Sequence, residues 1–254
     1  PVIKYEKVVP QRAVAIAKAY AAVKHDPTNP DVVASYDAFK DETRKQFEFL
    51  RERFDIEPFV GEGQPYATSQ EMFDDLEQNR HLSVFTGGEL PADHPLAEQS
   101  GVEINGQPLT YNDLFRAVHD VFGHAREGFG FGPRGEENAY ISHSRMFSPL
   151  ARKAMTTETR GQNSWVNYGP FGKQNRANPA NTIFAEQKAG LLPERFITIP
   201  EDASTVSLRT VAPLNAGPDL FGSPPESARV LEVAALLNEN TKRILGPTPK
   251  ADSA

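Results

Sequence analysis

The chain has 254 residues, 39% of them hydrophobic, and a formal net charge of −7 at pH 7. This length is enough to bury a substantial core, and the negative charge argues against electrostatic attraction to nucleic acid. There are no cysteines, which excludes disulfides and thiolate ligands, so a bound metal would need His, Asp or Glu. No apolar stretch approaches the roughly 20 residues of a membrane-spanning helix, and no signal-peptide pattern opens the chain. We therefore expect a cytoplasmic protein with no membrane contact.

Helices are predicted at both ends of the chain. An alanine-rich stretch, Gln11 to Val23, follows Pro10, and a long amphipathic stretch runs from Asp31 to Phe54. A third amphipathic helix is predicted from Ser227 to Leu245, where it packs on the domain or on a second subunit of a homo-oligomer, followed by a disordered tail at 246–254.

The predicted strands are short. Ile56 to Val60 and Leu82 to Thr86 flank a predicted helix from Ser69 to Arg80. An Asn105-Gly106 pair between apolar residues indicates a hairpin turn. Together with the helices, these patterns favour an α+β fold, a mainly helical single domain over residues 1–245 with a small peripheral sheet or hairpins.

The stretch with the clearest chemistry is Thr110 to His124, TYNDLFRAVHDVFGH. Thr110 and Asp113 fit the capping box that begins a helix, and apolar residues follow at helical spacing. This helix should therefore be buried, and it carries two histidines, His119 and His124. Two imidazoles are unlikely residues for a buried helix unless they have a role there.

The spacing of the histidines is unusual for a shared ion. Five residues on an α-helix separate two side chains by roughly 140°, so His119 and His124 do not lie on one face. They can converge if the helix bends or ends at Gly123, which tolerates a broken final turn. In the alternative interpretation, one is a hydrogen-bonded core histidine and the other caps the helix.

A carboxylate downstream completes a possible ligand set. Glu158 lies in the polar run Met155 to Trp165, MTTETRGQNSW, and two histidines with one carboxylate form the facial triad of non-haem Fe(II) oxygenases. We predict His119, His124 and Glu158 as metal ligands, with Glu158 and Arg160 as the catalytic residues. The polar residues after Glu158 would support the ligand and contact a small polar or planar substrate.

Three other residues compete with Glu158 for the third position. Glu136 and Glu137 open the helix after the glycine-rich run Gly128 to Gly135, GFGFGPRG, and His143 lies near the same face as Glu136. The glycine-rich run lacks the spacing of a phosphate-binding loop. We interpret it as a mobile or close-packed loop beside the site, where it could act as a lid.

The segment His119 to His124, HDVFGH, resembles the signature of the pterin-dependent aromatic amino acid hydroxylases. Thr156, Thr157 and Glu158 are similar to the TxE segment of that family. This resemblance implies His119, His124 and Glu158 as Fe(II) ligands, and a pterin as a further cofactor. Three longer runs, FGPRGEENAY, MFSPLAR and TETRGQNSWVN, look like a domain of bacteriophage-encoded proteins.

Two other functions fit parts of the same sequence. His119 and Asp120 form the doublet of HD-type phosphohydrolases, in which His94 and either Asp202 or Asp219 would supply the outer metal ligands. In the other interpretation, the histidines are structural and the chain is a non-catalytic binding or structural protein associated with phage.

Overall fold

The computed structural model describes residues 5–61 and 63–197, and this part of the chain is mainly helical with two small sheets. The predicted α+β class is confirmed. The helices are α1 (Pro10–Ala22), α2 (Pro30–Arg51), α3 (Ser69–Gln78), α4 (Tyr111–His119), α5 (Pro133–Ser144), α6 (Pro149–Thr156), α7 (Gln162–Tyr168), α8 (Gly172–Ala177) and α9 (Glu194–Ile197). Short 3-10 turns lie at Pro95–Ala97 and Pro179–Asn181.

Each sheet has two strands. Strands β1 (Asp55–Phe59) and β2 (His81–Phe85) pair in parallel, with α3 as the connection between them. Strands β3 (Gln99–Ile104) and β4 (Gln107–Thr110) form an antiparallel hairpin. Its turn is the predicted Asn-Gly pair, and both residues have positive φ, as a tight hairpin turn requires (Asn105 +53°, Gly106 +79°). The peripheral sheet and the hairpin predicted from the sequence are both present.

Helix α2 lies at the centre of the core and packs against α4 and α6. Phe39 on α2 is completely buried and contacts the rings of Phe115 and Phe147 at centroid distances of 4.7 and 5.2 Å. Burial of one such side chain contributes about 1.5–3 kcal/mol. This aromatic contact fixes α4, the helix that carries His119, against the middle of α2.

Helix α4 begins as the sequence predicts. The hydroxyl of Thr110 accepts a hydrogen bond from the Asp113 N–H, and the Asp113 carboxylate accepts one from the Thr110 N–H. The capping box is thus confirmed. The helix does not stop at His119 but continues into a π-helical turn, Asp120–Ala125.

A second π-helical turn, Thr157–Gly161, joins α6 to α7, so one continuous helical segment runs from Pro149 to Tyr168. Ser148 caps its start by accepting a hydrogen bond from the Ala151 N–H. Both π-helical turns carry residues singled out in the sequence, since the first includes His124 and the second includes Glu158 and Arg160. Single π-helical turns occur often at functional sites.

Several predicted features lie outside the described residues. These are the helix from Ser227 to Leu245, the tail at 246–254, and the two aspartates, Asp202 and Asp219, considered for a phosphohydrolase site. Within 5–61 and 63–197, no helix combines the length and the apolar character that crossing a bilayer requires.

The glycine-rich run is a close-packed loop in this structure. A Cβ atom on Gly135 would lie only 1.6 Å from the carbonyl oxygen of Gly130, so the loop touches the first turn of α5 where only glycine fits. The loop is also held from outside, because the Gly130 N–H donates to the Tyr5 hydroxyl (3.1 Å). These contacts place the loop firmly beside the end of the histidine-bearing helix.

We predict that Gly135→Ala destabilises the protein by about 1–3 kcal/mol, the usual range for overpacking a tight contact. The backbone of Gly130 must move to admit the methyl group. Thermal unfolding of the two proteins measures the loss. Gly132→Ala is the matched control, since a Cβ at Gly132 meets nothing within 4 Å, and equal unfolding temperatures for the two variants would contradict the prediction.

Candidate metal centre

Two histidines and one glutamate bring their ligand atoms together beside the first π-helical turn. One atom each of His119, His124 and Glu136 lies within 4.8 Å of the other two. Among residues 5–61 and 63–197 this is the one group of at least three His, Asp or Glu residues with that spacing. Such a group could hold a metal ion.

The π-helical turn explains how two histidines five residues apart meet. The Arg126 N–H donates to the Val121 carbonyl (2.8 Å), a bond that spans five residues instead of the four of an α-helix. Each such turn contains about one extra residue, so side chains at i and i+5 become neighbours. The ring centroids of His119 and His124 are 5.0 Å apart. The convergence that we expected from a bend or end at Gly123 comes instead from a wider turn.

Gly123 has a different role from the expected helix end. Its Cβ would lie 2.9 Å from Nδ1 of His119 and 3.3 Å from the Cβ of Ala139. Glycine therefore leaves room for the His119 ring between its own helix and α5. The helix turns away only at Gly128, which has φ +77° and donates its N–H to the His124 carbonyl (2.8 Å).

The backbone after this helix fixes the tautomer of His124. Its Nδ1 lies 3.0 Å from the carbonyl oxygen of Phe129. A carbonyl only accepts hydrogen bonds, so Nδ1 carries the proton and donates it. In the neutral imidazole, Nε2 is then the nitrogen with a free lone pair, and it faces Glu136. Histidines that bind metals are commonly held in this way.

A series of hydrogen-bonded side chains likewise places the proton of His119 on Nδ1. Nε2 of His143 lies 2.7 Å from Oε1 of Gln46, and Nδ1 of His143 lies 3.1 Å from Nδ1 of His119. Since the Gln46 carbonyl accepts, His143 is protonated on Nε2, and its Nδ1 accepts from Nδ1–H of His119. Burial lowers the pKa of His143 well below its usual range, so this ring is neutral. Nε2 of His119 is again left with its lone pair.

Both lone pairs point toward one carboxylate. Oε2 of Glu136 lies 3.5 Å from Nε2 of His124 and 3.9 Å from Nε2 of His119. These separations are too long for good hydrogen bonds, and Nε2 of His119 is buried without a hydrogen-bond partner in the described part of the chain. Ligand atoms about 2.1 Å from a shared ion lie roughly 3–3.5 Å apart. The spacing is therefore close to that of a ligand set.

The charges of the group favour a cation between its members. Burial alone would raise the pKa of Glu136, but His124 and His119 bring it down to about 2. Burial lowers the pKa of His119, and it would also lower that of His124, where Glu136 more than offsets it and leaves the pKa raised. Without an ion, the carboxylate of Glu136 favours the protonated form of His124. With an ion, the same carboxylate balances its charge.

The site is open on the side of Glu136. The Glu136 side chain is 30% exposed, against 11% for His119 and 2% for His124. Phe131, in the glycine-rich loop, lies edge-on to the His124 ring at 5.1 Å and is itself partly exposed. An ion held here would face solvent across Glu136 and beside an aromatic ring.

Asp120 adds a second acidic group near the histidines. Burial raises its pKa, the positive charge of His124 opposes this, and the negative charge of Glu136 adds to it, so that the pKa of Asp120 is about 7. A carboxyl group that exchanges its proton near neutral pH is a recurrent feature of active sites. The sequence had suggested Asp120 only as half of an HD doublet.

The structure gives Glu158 other partners than His119 and His124. Its Oε1 accepts a hydrogen bond from the Tyr36 hydroxyl, and its Oε2 accepts one from Nε2 of Gln162 (2.9 Å). Nε2 of His94 is 3.4 Å from Oε1. The two glutamates have different partners because their helices are oriented differently. The second π-helical turn directs Glu158 toward α2, whereas the first turn of α5 directs Glu136 toward the histidines.

His94 therefore lies with Glu158, apart from the HD doublet that the phosphohydrolase interpretation would require it to join. Its Nδ1 accepts from the Leu96 N–H (3.2 Å), which leaves the proton of the neutral ring on Nε2. A protonated nitrogen has no lone pair for a metal. This is the reverse of the arrangement at His119 and His124.

Arg160 is enclosed in an ion pair. Its Nε and Nη2 donate to the two carboxylate oxygens of Glu137 at 3.1 and 2.5 Å, and its Nη1 donates to the Phe196 carbonyl (2.7 Å). The guanidinium also lies over the Tyr140 ring, and the side chain is 1% exposed. Of the three rivals for the third position, Glu137 is thereby engaged with Arg160 and His143 supports His119, which leaves Glu136.

Sequence reasoning missed the residues that orient the two histidines. Gln46 lies on α2, 73 positions before His119, and nothing in its local pattern separates it from a polar residue on a helix surface. Phe129 acts through its backbone carbonyl, which carries no sequence signal. Gly128 could be noted in the sequence. Its role, which is to direct the Phe129 carbonyl back toward His124, depends on the turn that the backbone makes there.

We predict that Gly123→Ala weakens metal binding by about 10-fold or more, because the new methyl group displaces the His119 ring. Alanine is the better helix former by about 1 kcal/mol, so a loss of affinity without a large loss of stability would identify the ring contact as the cause. Isothermal titration with a divalent metal and thermal unfolding measure the two quantities. Unchanged affinity would contradict the proposed fit.

Comparisons of this chain with protein-family models, with curated proteins and with solved structures found no match. The resemblance of HDVFGH to the pterin-dependent hydroxylases thus stays a prediction made from six residues. The site is defined by its geometry, in which one ligand atom each of two histidines and one glutamate lies within 4.8 Å of the other two.

Proposed function

We propose that this protein binds one Fe(II) ion through His119, His124 and Glu136, and that it is an oxygenase acting on a small organic substrate. One observation carries the proposal. Separate hydrogen bonds place the proton of each neutral histidine on Nδ1, and both Nε2 atoms face the same carboxylate. A purely structural pair of histidines has no need of that shared direction.

The ligand set is one that suits iron. Two imidazoles and one carboxylate on one side of an ion form the facial triad, which suits non-haem Fe(II) and leaves coordination positions open. When bound, Fe(II) in such a site supplies the capacity to activate oxygen for hydroxylation. The absence of thiolates argues against the softer metals.

The chain's own residues would bind the substrate and handle protons. The exposed side of Glu136 gives access, and Phe131 offers an apolar surface beside His124. The carboxyl group of Asp120, with its pKa near 7, is suited to release or accept a proton at neutral pH. These features support a small, partly apolar substrate.

No pterin is included in the proposal. The resemblance to the pterin-dependent hydroxylases rested partly on Glu158 as the third ligand, and Glu158 contacts Tyr36 and Gln162 instead. What remains of the resemblance is the segment His119 to His124. A mononuclear iron site is supported by that segment and by Glu136, and neither bears on an organic cofactor.

The first test is anaerobic Fe(II) uptake by chelator-treated protein, measured by titration and elemental analysis. We expect one iron per chain, and at least 100-fold weaker binding in His124→Ala and Glu136→Gln, because each removes a ligand. Glu158→Gln is the matched control, since it makes the same chemical change at the glutamate that the sequence suggested as third ligand, and it should bind iron as the wild type does.

The opposite pattern decides against this ligand set. Iron lost in Glu158→Gln but kept in Glu136→Gln would restore Glu158 as the third ligand. Wild-type protein that takes up no iron would identify His124 and Glu136 as a structural ion pair.

The second test separates oxygen chemistry from metal binding alone. We expect Fe(II)-loaded protein to consume oxygen in an electrode assay, while protein loaded with Zn²⁺, which has no redox chemistry, does not. Candidate organic substrates that accelerate consumption would define the substrate class. Oxygen uptake no faster than that of free Fe(II) at the same concentration would count against an oxygenase.

A further inference from the structure

The hydrogen-bonded chain from Gln46 to His119 can exist in two forms. In the form seen here, the Gln46 carbonyl accepts from Nε2–H of His143, and Nδ1–H of His119 donates to Nδ1 of His143. If the Gln46 amide rotates by 180°, its NH₂ group donates to Nε2 of His143. His143 must then carry its proton on Nδ1 and donate to Nδ1 of His119.

The two forms differ in the nitrogen that faces Glu136. In the first, Nε2 of His119 has a free lone pair and can bind a metal. In the second, Nε2 of His119 carries the proton and cannot. The orientation of one amide, two rings away, thus determines whether the ligand atom is available. Heavy atoms need hardly move between the two forms.

In the described part of the chain, the amide of Gln46 is hydrogen-bonded through its oxygen only. Its Nε2 is buried without a hydrogen-bond partner among the described residues, and the whole residue is 7% exposed. Among the described residues, His143 is the hydrogen-bond partner that holds the amide in place. The contact with His143 therefore couples the amide orientation to the proton position on both rings.

We infer that Gln46 is a positioning residue of the metal centre, which acts through His143 to keep Nε2 of His119 unprotonated and ready for the ion. This inference rests on the proposed metal site and adds a means of controlling it. A metal ion bound at Nε2 of His119 should in turn select the amide orientation seen here, because only that orientation is compatible with it.

Substitution of Gln46 by Met, which is similar in size and whose sulfur is only a weak acceptor, separates the two forms. Without the carbonyl, Nε2–H of His143 would be a buried donor without a partner, which is unfavourable. The pair of rings avoids this by moving the proton to Nδ1 of His143, and His119 then carries its own proton on Nε2. We expect Gln46→Met to convert His119 to the tautomer that cannot bind metal.

The direct measurement is the ¹⁵N chemical shifts of the His119 ring in metal-free protein. We expect wild-type His119 to be protonated on Nδ1 and Gln46→Met to show protonation on Nε2. Wild-type protein with Nε2 of His119 protonated would overturn the inference, whether or not the variant folds. A variant that folds and keeps the wild-type tautomer would overturn it as well.

Metal affinity gives an independent test. We expect Gln46→Met to weaken Fe(II) binding by about 10- to 100-fold, the usual effect of losing a group that orients a ligand. Thr43→Val is the control, because Thr43 lies on the same helix, is also buried, and has a hydroxyl without a partner in the described residues. It should bind Fe(II) within about twofold of the wild type.

A double-mutant cycle distinguishes the relay from simple packing. In a His143→Leu background the link to His119 is absent, so adding Gln46→Met should have no further effect on Fe(II) affinity. An equal loss in both backgrounds would show that Gln46 acts only through packing, and would overturn the inference. The tautomer measurement needs no metal, so a wild-type protein with the expected tautomers but no Fe(II) uptake would overturn the proposed function alone.

Discussion

His119 and His124 can serve a single ion only because the helix between them takes a π-helical turn. On an ideal α-helix their side chains would point in directions roughly 140° apart. The extra residue in the turn brings the rings to 5.0 Å and directs both toward α5. The position of Glu136, the room left at Gly123 and the returning carbonyl of Phe129 all depend on that turn.

The sequence was sufficient where the signal is local. The capping box of Thr110 and Asp113, the Asn105-Gly106 hairpin and the long helix α2 were predicted from short patterns, and each is present. The histidine pair was also identified. The means of convergence was not, because a single extra residue within one turn leaves no periodic trace in the apolar pattern.

The third member of the group shows the limit of such reasoning. Glu136 and Glu158 both lie in helical segments that follow His124, and no spacing rule chooses between them. The choice depends on how the loop from Gly128 to Gly135 turns α5 back toward the first π-helical turn. That path is decided by a contact between the Gly130 carbonyl and Gly135 that is closer than any other residue would permit.

The N-terminal segment is part of the support of the metal centre, although it contributes no ligand. The Tyr5 hydroxyl accepts from the Gly130 N–H, and the Tyr5 ring contacts Phe129 at 5.1 Å, the residue whose carbonyl holds His124. Three contacts thus connect the beginning of the described chain to Nδ1 of His124. Displacement of Tyr5, by cleavage or by a binding partner, would remove these contacts with the residues beside His124.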